Sequence, residues 1–377
     1  MSEVKGISTI TNRAGTGAVD FSNGVNISGS DSGLSGFKHT EGSTEPTSPS
    51  NGDTWWDTEN EVYQIYVNDT WTTYIGASSS AVWYGDRALF AGNYTATYTI
   101  EYIDITTTGN STDFGDLLND RDNSVGLSDG TYGVFAGGYH ASDDRTEIDY
   151  VTIATTGNAT DFGDLTVGRD LSSGVANSTR GVIIAGRDVS NTSINTMDYV
   201  TIATPGNATD FGDAAYAMRQ ASGGASDGTY GVIASGNYIN EAMQYITIDT
   251  TGNATFFGYD NAITDFGNTR ASSATTSDTT RGVIGGGGQT ICNDITYFTI
   301  ATTGNTTDFG DLTRTHKQLG ATSNGTRAVF AGGYDTTSPF KYNIIDYITI
   351  QTTGNATDFG DLLEAKRDLG ATSGNAS

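Results

Sequence analysis

Between residues 81 and 377, short apolar runs alternate with stretches of Thr, Asn, Asp, Ser and Gly. Residues 169–214 show the pattern clearly, dividing into LSSGVANS (171–178), GVIIAG (181–186), MDYVTIA (197–203) and ATDFGDA (208–214). Each piece has strand length and is bounded by turn residues, so each predicts a β-strand. Short turns make consecutive strands antiparallel neighbours. The first piece is built from small side chains in every copy: VGLS, GVANS, GGAS, SATTS, GATS and GATS. The third is apolar on both faces, with Ile148, Tyr150 and Thr152 on one and Val151 and Ile153 on the other. A strand covered on both sides reads this way.

The unit recurs. TTGN followed by DFGD, or a close variant, occurs six times, with turn glycines Gly109, Gly157, Gly206, Gly252, Gly304 and Gly354. A period near fifty residues marks a repeat architecture, and four antiparallel strands per period arranged radially form a propeller blade. The small first strands suit the crowded axis. Phe114, Phe162, Phe211, Phe309 and Phe359 suit an outer plug between blades. The repeat region opens on a second strand (residues 81–93) and ends on a first strand (367–377). The chain terminus therefore supplies the missing inner strand, placing residues 370–373 beside 89–91 and removing free edges. The expected fold is all-β: a six-bladed propeller over residues 81–377, closed by its C-terminal strand.

Composition narrows the partners. Acids outnumber bases 44 to 18, a formal net charge of −26. A protein that wraps nucleic acid needs a basic face, so nucleic acid is not expected. No stretch has the apolar length of a membrane helix. Cys292 is the sole cysteine, and His39, His140 and His316 are scattered, so neither an intrachain disulfide nor structural zinc is expected. The start lacks an apolar signal core. Asp-Phe-Gly is also a kinase motif, but the other kinase segments are missing. Asn158, Asp161 and Asp164 offer oxygen ligands for calcium, but the same residues suit turns. No cofactor is expected. Arg121, Arg169, Arg219, Arg270 and Arg367 stand before inner strands. Asp116, Asp164 and Asp213 lie just upstream of the first three, which predicts repeated ion pairs between blades.

The run Arg-x-x-Gly-Ala-Thr-Ser, then GVFAGGY, then IDYVTI and DFGDL, resembles a kelch repeat. Gly137-Gly138, Gly285-Gly286 and Gly332-Gly333 match its glycine pair, and Tyr102, Tyr150, Tyr199, Tyr245, Tyr297 and Tyr347 match its tyrosine. Phe stands where kelch repeats carry Trp. Kelch propellers include enzymes and binding modules, so this resemblance leaves function open. Ahead of the propeller, GISTITNRAGTGAVDFSNGV resembles the N-terminal segment of tailed-phage virion proteins, particularly those of marine cyanophages. The stretch TEPTSPSNGDTWWDTENEVYQIYVNDTWTTYIG is similar to a hairpin module of phage tail and fibre proteins. These resemblances imply a particle-attachment segment (1–40), a small β-hairpin module (41–80) and an outward-facing propeller.

In a blade, the loops joining strands two and three share a face with the blade-to-blade links, and these loops differ most between copies. Variable loops on a rigid scaffold carry binding. Their residues Tyr94, Tyr98, Tyr139, His140, Tyr238, Tyr334, Phe340 and Tyr342 are the candidate ligand contacts, since aromatic and amide groups suit sugars. Trp55, Trp56 and Trp71, with Phe256, Phe257 and Tyr259 of an irregular fourth blade, are candidate subunit contacts. Together these readings lead to an expectation of a non-enzymatic component of a tailed-phage virion, a tail fibre or appendage binding a host-surface glycan. The expected assembly is a homotrimer joined through residues 1–80. A capsid decoration or vertex protein and a polysaccharide depolymerase are the alternatives.

Overall fold

The computed structural model describes residues 39–50, 53–57, 62–67, 70–74, 83–94, 98–140, 143–219, 223–234, 236, 242–261 and 270–376. They fall into two compact units, Met1–Ser80 and Ala81–Ser377. In the first, His39–Gly42 runs parallel to Thr54–Asp57, which pairs antiparallel with Val62–Val67 and through it with Thr70–Tyr74. The Trp55 indole N–H donates to the Gly42 carbonyl at 3.0 Å, and its ring meets Trp71 edge-on at 5.7 Å. Trp55 is therefore buried inside its own unit, which corrects its expected place in a subunit contact. Trp71 is half-buried and also packs against Tyr66. The Trp56 side chain lies outside the described residues.

The second unit is a six-bladed β-propeller, with four-stranded antiparallel blades and no helix among the described residues. Blade one takes its inner strand from Gly370–Gly374, which pairs with Arg87–Ala91 in the register Gly370 to Ala91 and Ser373 to Ala88. Thr99–Asp104 and Thr112–Asp116 complete it. Blade two comprises Val125–Ser128, Tyr132–Ala136, Glu147–Thr152 and Thr160–Asp164. The inner strands of blades three to six are Ser173–Ala176, Gly224–Ser226, Ala274–Ser277 and Gly320–Ser323. They ring a central cavity of about 200 Å3, into which Trp83 and Tyr84 also project from the start of the propeller.

The repeated motif is a zipper between blades. In each of the six copies the turn asparagine accepts a hydrogen bond from a strand-four N–H of the preceding blade. Asn158 Oδ1 accepts from Asp116, Asn207 from Asp164, and Asn110 from Asp361 across the closure, at 3.0–3.1 Å. The turn glycine adds a backbone bond, Gly157 N–H to Phe114 O at 2.8 Å. A Cβ on Gly115 would stand 2.3 Å from the Gly157 oxygen, and φ there is +148°. The glycine of all five DFGD copies holds positive φ, whereas only two of the six turn glycines, Gly252 and Gly354, do. Each strand four bulges at its phenylalanine, which turns the ring inward against the Tyr of strand three and the apolar strand three of the next blade. This corrects Phe257. It occupies the plug position of blade four and is buried, so it serves the core and not a neighbouring subunit. Phe256 and Tyr259 beside it stay exposed.

Each blade also begins with one buried residue, seven positions after the plug phenylalanine except where blade five's lead-in is longer. These residues are Arg121, Arg169, Met218, Arg270, His316 and Lys366, all buried. Their partners are on strand three of the blade they begin. Arg121 pairs with Asp149 at 2.8 Å, Arg169 with Asp198 at 3.0 Å and Lys366 with Glu101 at 2.5 Å. The expected pairs with Asp116, Asp164 and Asp213 do not form, because those acids lie on the exposed outer edge. Arg219 and Arg367 each stand one residue beyond the buried position. Where the first partner changes, so does the second. Met218 faces Gln244, whose amide nitrogen lies 3.3 Å from its sulfur. Arg270 meets Thr296 at 2.7 Å, and Asp260 supplies the counter-charge at 3.1 Å. His316 is uncharged at neutral pH, burial pushing its pKa down to about 4, and Asp346 is bonded by Thr313 instead.

Removing one member of a buried ion pair strands a charge and costs about 3–5 kcal/mol. Arg169→Met alone and Asp198→Gln alone should each lower stability by that order. The double variant reproduces the Met–Gln pairing of blade four and should recover much of the loss. Urea unfolding measures this, and strictly additive effects would show that the two residues do not act as a unit.

Candidate functional site

The loops joining strands two and three bond to the blade-to-blade links, so both lie at one mouth of the propeller. Asp122 and Tyr139 form a bridge, as do Lys317 and Tyr334. The Tyr94 N–H reaches the Arg367 carbonyl at 3.4 Å, and that of Gly288 reaches Ala271 at 2.9 Å. The link position is therefore occupied by Arg367, Asp122, Asp170, Arg219, Ala271 and Lys317 in blades one to six. The facing loop position carries Tyr94, Tyr139, Arg187, Gly288 and Tyr334 in the blades described there. The rim itself is made of backbone. Gln318 N–H donates to Ser272 O at 2.7 Å, Asp368 to Gln318 at 2.9 Å and Asn123 to Asp368 at 2.8 Å. Asn123, Leu171, Ser272, Gln318 and Asp368 all hold φ of 54–62°. That conformation is unusual outside glycine and is sustained here by the bonds around it.

Glycines let these layers meet. Gly138 N–H donates to Arg169 O, and Gly333 N–H to Lys366 O. In blade five the corresponding pair is Gly286-Gly287, with φ of 63° and 91°, one residue later than the kelch comparison places it.

Two of the eight candidate contacts converge. The Arg367 guanidinium lies 3.8 Å from the Tyr94 ring centre and 4.7 Å from that of Tyr334, held between the two. Such stacking attracts a cation to the ring faces. Tyr94, Tyr98 and Phe340 are about half exposed, at 56%, 48% and 51%. Tyr139 and His140 stand on blade two, where His140 Nδ1 lies 2.9 Å from Asp120 and Arg187 lies 5.5 Å from the Tyr139 ring. Tyr342 is corrected: it is 8% exposed and packs edge-on against His316 at 6.2 Å, supporting the loop from within. Tyr238 lies outside the described residues.

Beside the stacked arginine is a cavity of about 260 Å3, lined by Ala271, Ser272, Gly288, Gln289, Lys317, Gln318, Tyr334 and Arg367. It opens where blade five carries Ala271 and Gly288 in the places that blade six fills with Lys317 and Tyr334. The sequence patterns single out bulky loop residues, so Lys317, Gln289 and the role of Arg367 go unnoticed. Counting seven residues from each plug phenylalanine finds them, since that count assigns Lys366 to the core and leaves Arg367 for the mouth.

The mouth also carries buried acids. Asp122, Asp170 and Asp368 are buried within electrostatic reach of one another. Arg187 pairs with Asp170, and Arg367 Nε lies 3.5 Å from Asp368. Burial first, then the neighbouring Asp122 charge, pushes the Asp368 carboxyl up to about 7. Burial likewise pushes Asp122 up to about 6. Asn158 Oδ1 accepts from the Asp116 N–H and serves the turn, while Asp161 and Asp164 lie on strand four. Among the described residues no three acidic, imidazole or thiol groups converge to hold a metal ion.

No protein-family model matches this chain, and no curated protein matches it.

The Asp368 carboxyl titrates near 4 in the unfolded chain and near 7 when folded. Its contribution to stability is complete below pH 4 and is lost as pH rises through 7. Asp368→Asn copies Asn123 of blade two, which holds the same backbone conformation. The variant should gain stability over the native chain at pH 8 and lose that advantage at pH 5, measured as the difference in melting temperature. An advantage that does not change with pH would contradict the raised carboxyl.

Proposed function

We propose that the chain is a structural protein of a tailed-phage particle, a tail fibre or appendage, whose kelch-like propeller adsorbs a host-surface glycan without cleaving it. The observation that carries this reading is the mouth, where Tyr94 and Tyr334 are braced by Arg367 and flanked by exposed Tyr98 and Phe340. Flat aromatic faces combined with amides and fixed backbone groups form a surface for ring-stacking and hydroxyl recognition. The blade cores and the hydrogen-bonded rim keep that surface in shape without a ligand, which lowers the ordering cost of binding. The virion assignment draws on the phage-like pattern of residues 1–80. In this reading that segment anchors a homotrimer to other virion proteins, with Trp56 and Trp71 as contacts and Phe256 and Tyr259 as a further patch.

The test is binding of the full chain to envelope polysaccharide from a susceptible bacterium. Tyr94→Ala and Tyr334→Ala should each weaken binding about tenfold, the order expected for losing one stacked ring. Free oligosaccharide released during incubation would mark a depolymerase instead. Labelling on intact particles should find the protein on the tail, and a signal confined to the head would favour a decoration protein. Light scattering should give three chains per particle of free protein.

A further inference from the structure

Resting on that reading, we infer that the cavity between blades five and six takes an anionic sugar unit of the host glycan, one bearing a carboxylate or a sulfate. The chain carries a formal net charge of −26, yet the two charged residues lining this cavity, Lys317 and Arg367, are both cations. Among the described residues Lys317 forms no ion pair, and its backbone bridges Tyr334 at the cavity wall. Arg367 spends one N–H on Gln318 Oε1 at 3.1 Å. Its guanidinium plane is fixed by Tyr94 and Tyr334, so its remaining donors keep one orientation. A planar fork held in place beside an ammonium is the chemistry that receives an oxyanion.

The neighbouring acid does not cancel this. Asp368 meets only the Nε side of Arg367, at 3.5 Å, Gln318 takes Nη1, and burial pushes the Asp368 carboxyl up to about 7, which weakens its hold on the guanidinium. Gln289 and Gln318 add amide groups at the cavity wall, and Tyr334 presents its ring, so the acid group and the hydroxyls of one sugar would both find partners. The volume, about 260 Å3, is below the roughly 300–1,000 Å3 of clefts for larger ligands. It suits a single terminal or branch unit rather than an extended chain. The site also has a structural origin. Ala271 and Gly288 leave the space, and the adjoining blade supplies the cation.

Calorimetric titration of the full chain tests this with three probes: a polyuronate oligosaccharide, its carboxyl-reduced neutral counterpart and a sulfated oligosaccharide. At least one acidic probe should bind, and the neutral one at least tenfold more weakly. Lys317→Gln should weaken the acidic probe about tenfold and leave the neutral one unchanged. Lys341→Gln, on the same loop face but outside the cavity, should change neither. Preference for the uronate over the sulfated probe identifies the acid as carboxylate, and the reverse identifies sulfate. Equal binding of acidic and neutral probes, or indifference to Lys317→Gln, overturns the inference. If that binding still depends on Tyr94 and Tyr334, the adsorption reading stands without it. A chain that binds none of the three, and no envelope polysaccharide, overturns both.

Discussion

The residue that opens each blade sets the frame for everything outside it. Its side chain is sealed within the blade it begins, against strand three. Its carbonyl accepts the N–H of the second glycine, or the residue in its place, from the blade before, as Arg169 does from Gly138 and Lys366 from Gly333. One residue therefore ties a blade internally and couples it to its neighbour. A charge in that dry setting must be matched locally, because an unpaired buried ion costs several kcal/mol. The six copies obey this in different ways. Arg faces Asp twice and Lys faces Glu once. Met faces Gln, Arg recruits Asp260 when Thr296 replaces the acid, and neutral His316 leaves Asp346 to Thr313. The closing blade depends on the same device, since Lys366 comes from the end of the chain and Glu101 from its first blade.

The fold was legible because its signals are local and repeated. Small residues at the axis, doubly apolar third strands and a period near fifty specify four strands per blade. The mismatch between where the repeat starts and stops specifies closure. Side-chain partners were less legible. Arg121 has Asp116 five residues away in sequence, but the strand bulge turns Asp116 to solvent, while pairing of strands two and three carries Asp149 under the arginine. The same bulge decides that Phe257 points inward and Phe256 outward. No pattern of alternating residues announces a bulge, so the sequence names the right segment but not the facing side chain. Tyr342 shows the same limit: it looks like a loop aromatic and is a support.

The mouth was only partly legible for a different reason. Its aromatic residues stand out in the chain, and Tyr94 and Tyr334 do meet there. The cavity, however, is made by what blade five lacks. Ala271 and Gly288 are unremarkable in a chain with 50 glycines, and only the bonds between link and loop reveal that they occupy positions filled elsewhere by charged and aromatic groups.

Core duty and surface duty are therefore separated by a single step along the chain. The residue that opens a blade is constrained by its buried partner, and its variation is compensated within the blade. The next residue, Arg367, Asp122, Asp170, Arg219, Ala271 or Lys317, lies at the mouth and takes its partners there, not on strand three. It accordingly ranges over both charges and none. Neighbouring positions of one sign then create local fields that the net charge does not reveal: acids gather at blades two and three, cations at blades six and one. The rim is held by backbone bonds through residues in a rarely populated conformation, so the positions of those charges follow from the scaffold. The propeller thus fixes which charges meet around one opening: Arg187 meets Asp170 and Arg367 meets Asp368, while Lys317 has no ion pair among the described residues, and that leaves a basic cavity standing on an acidic protein.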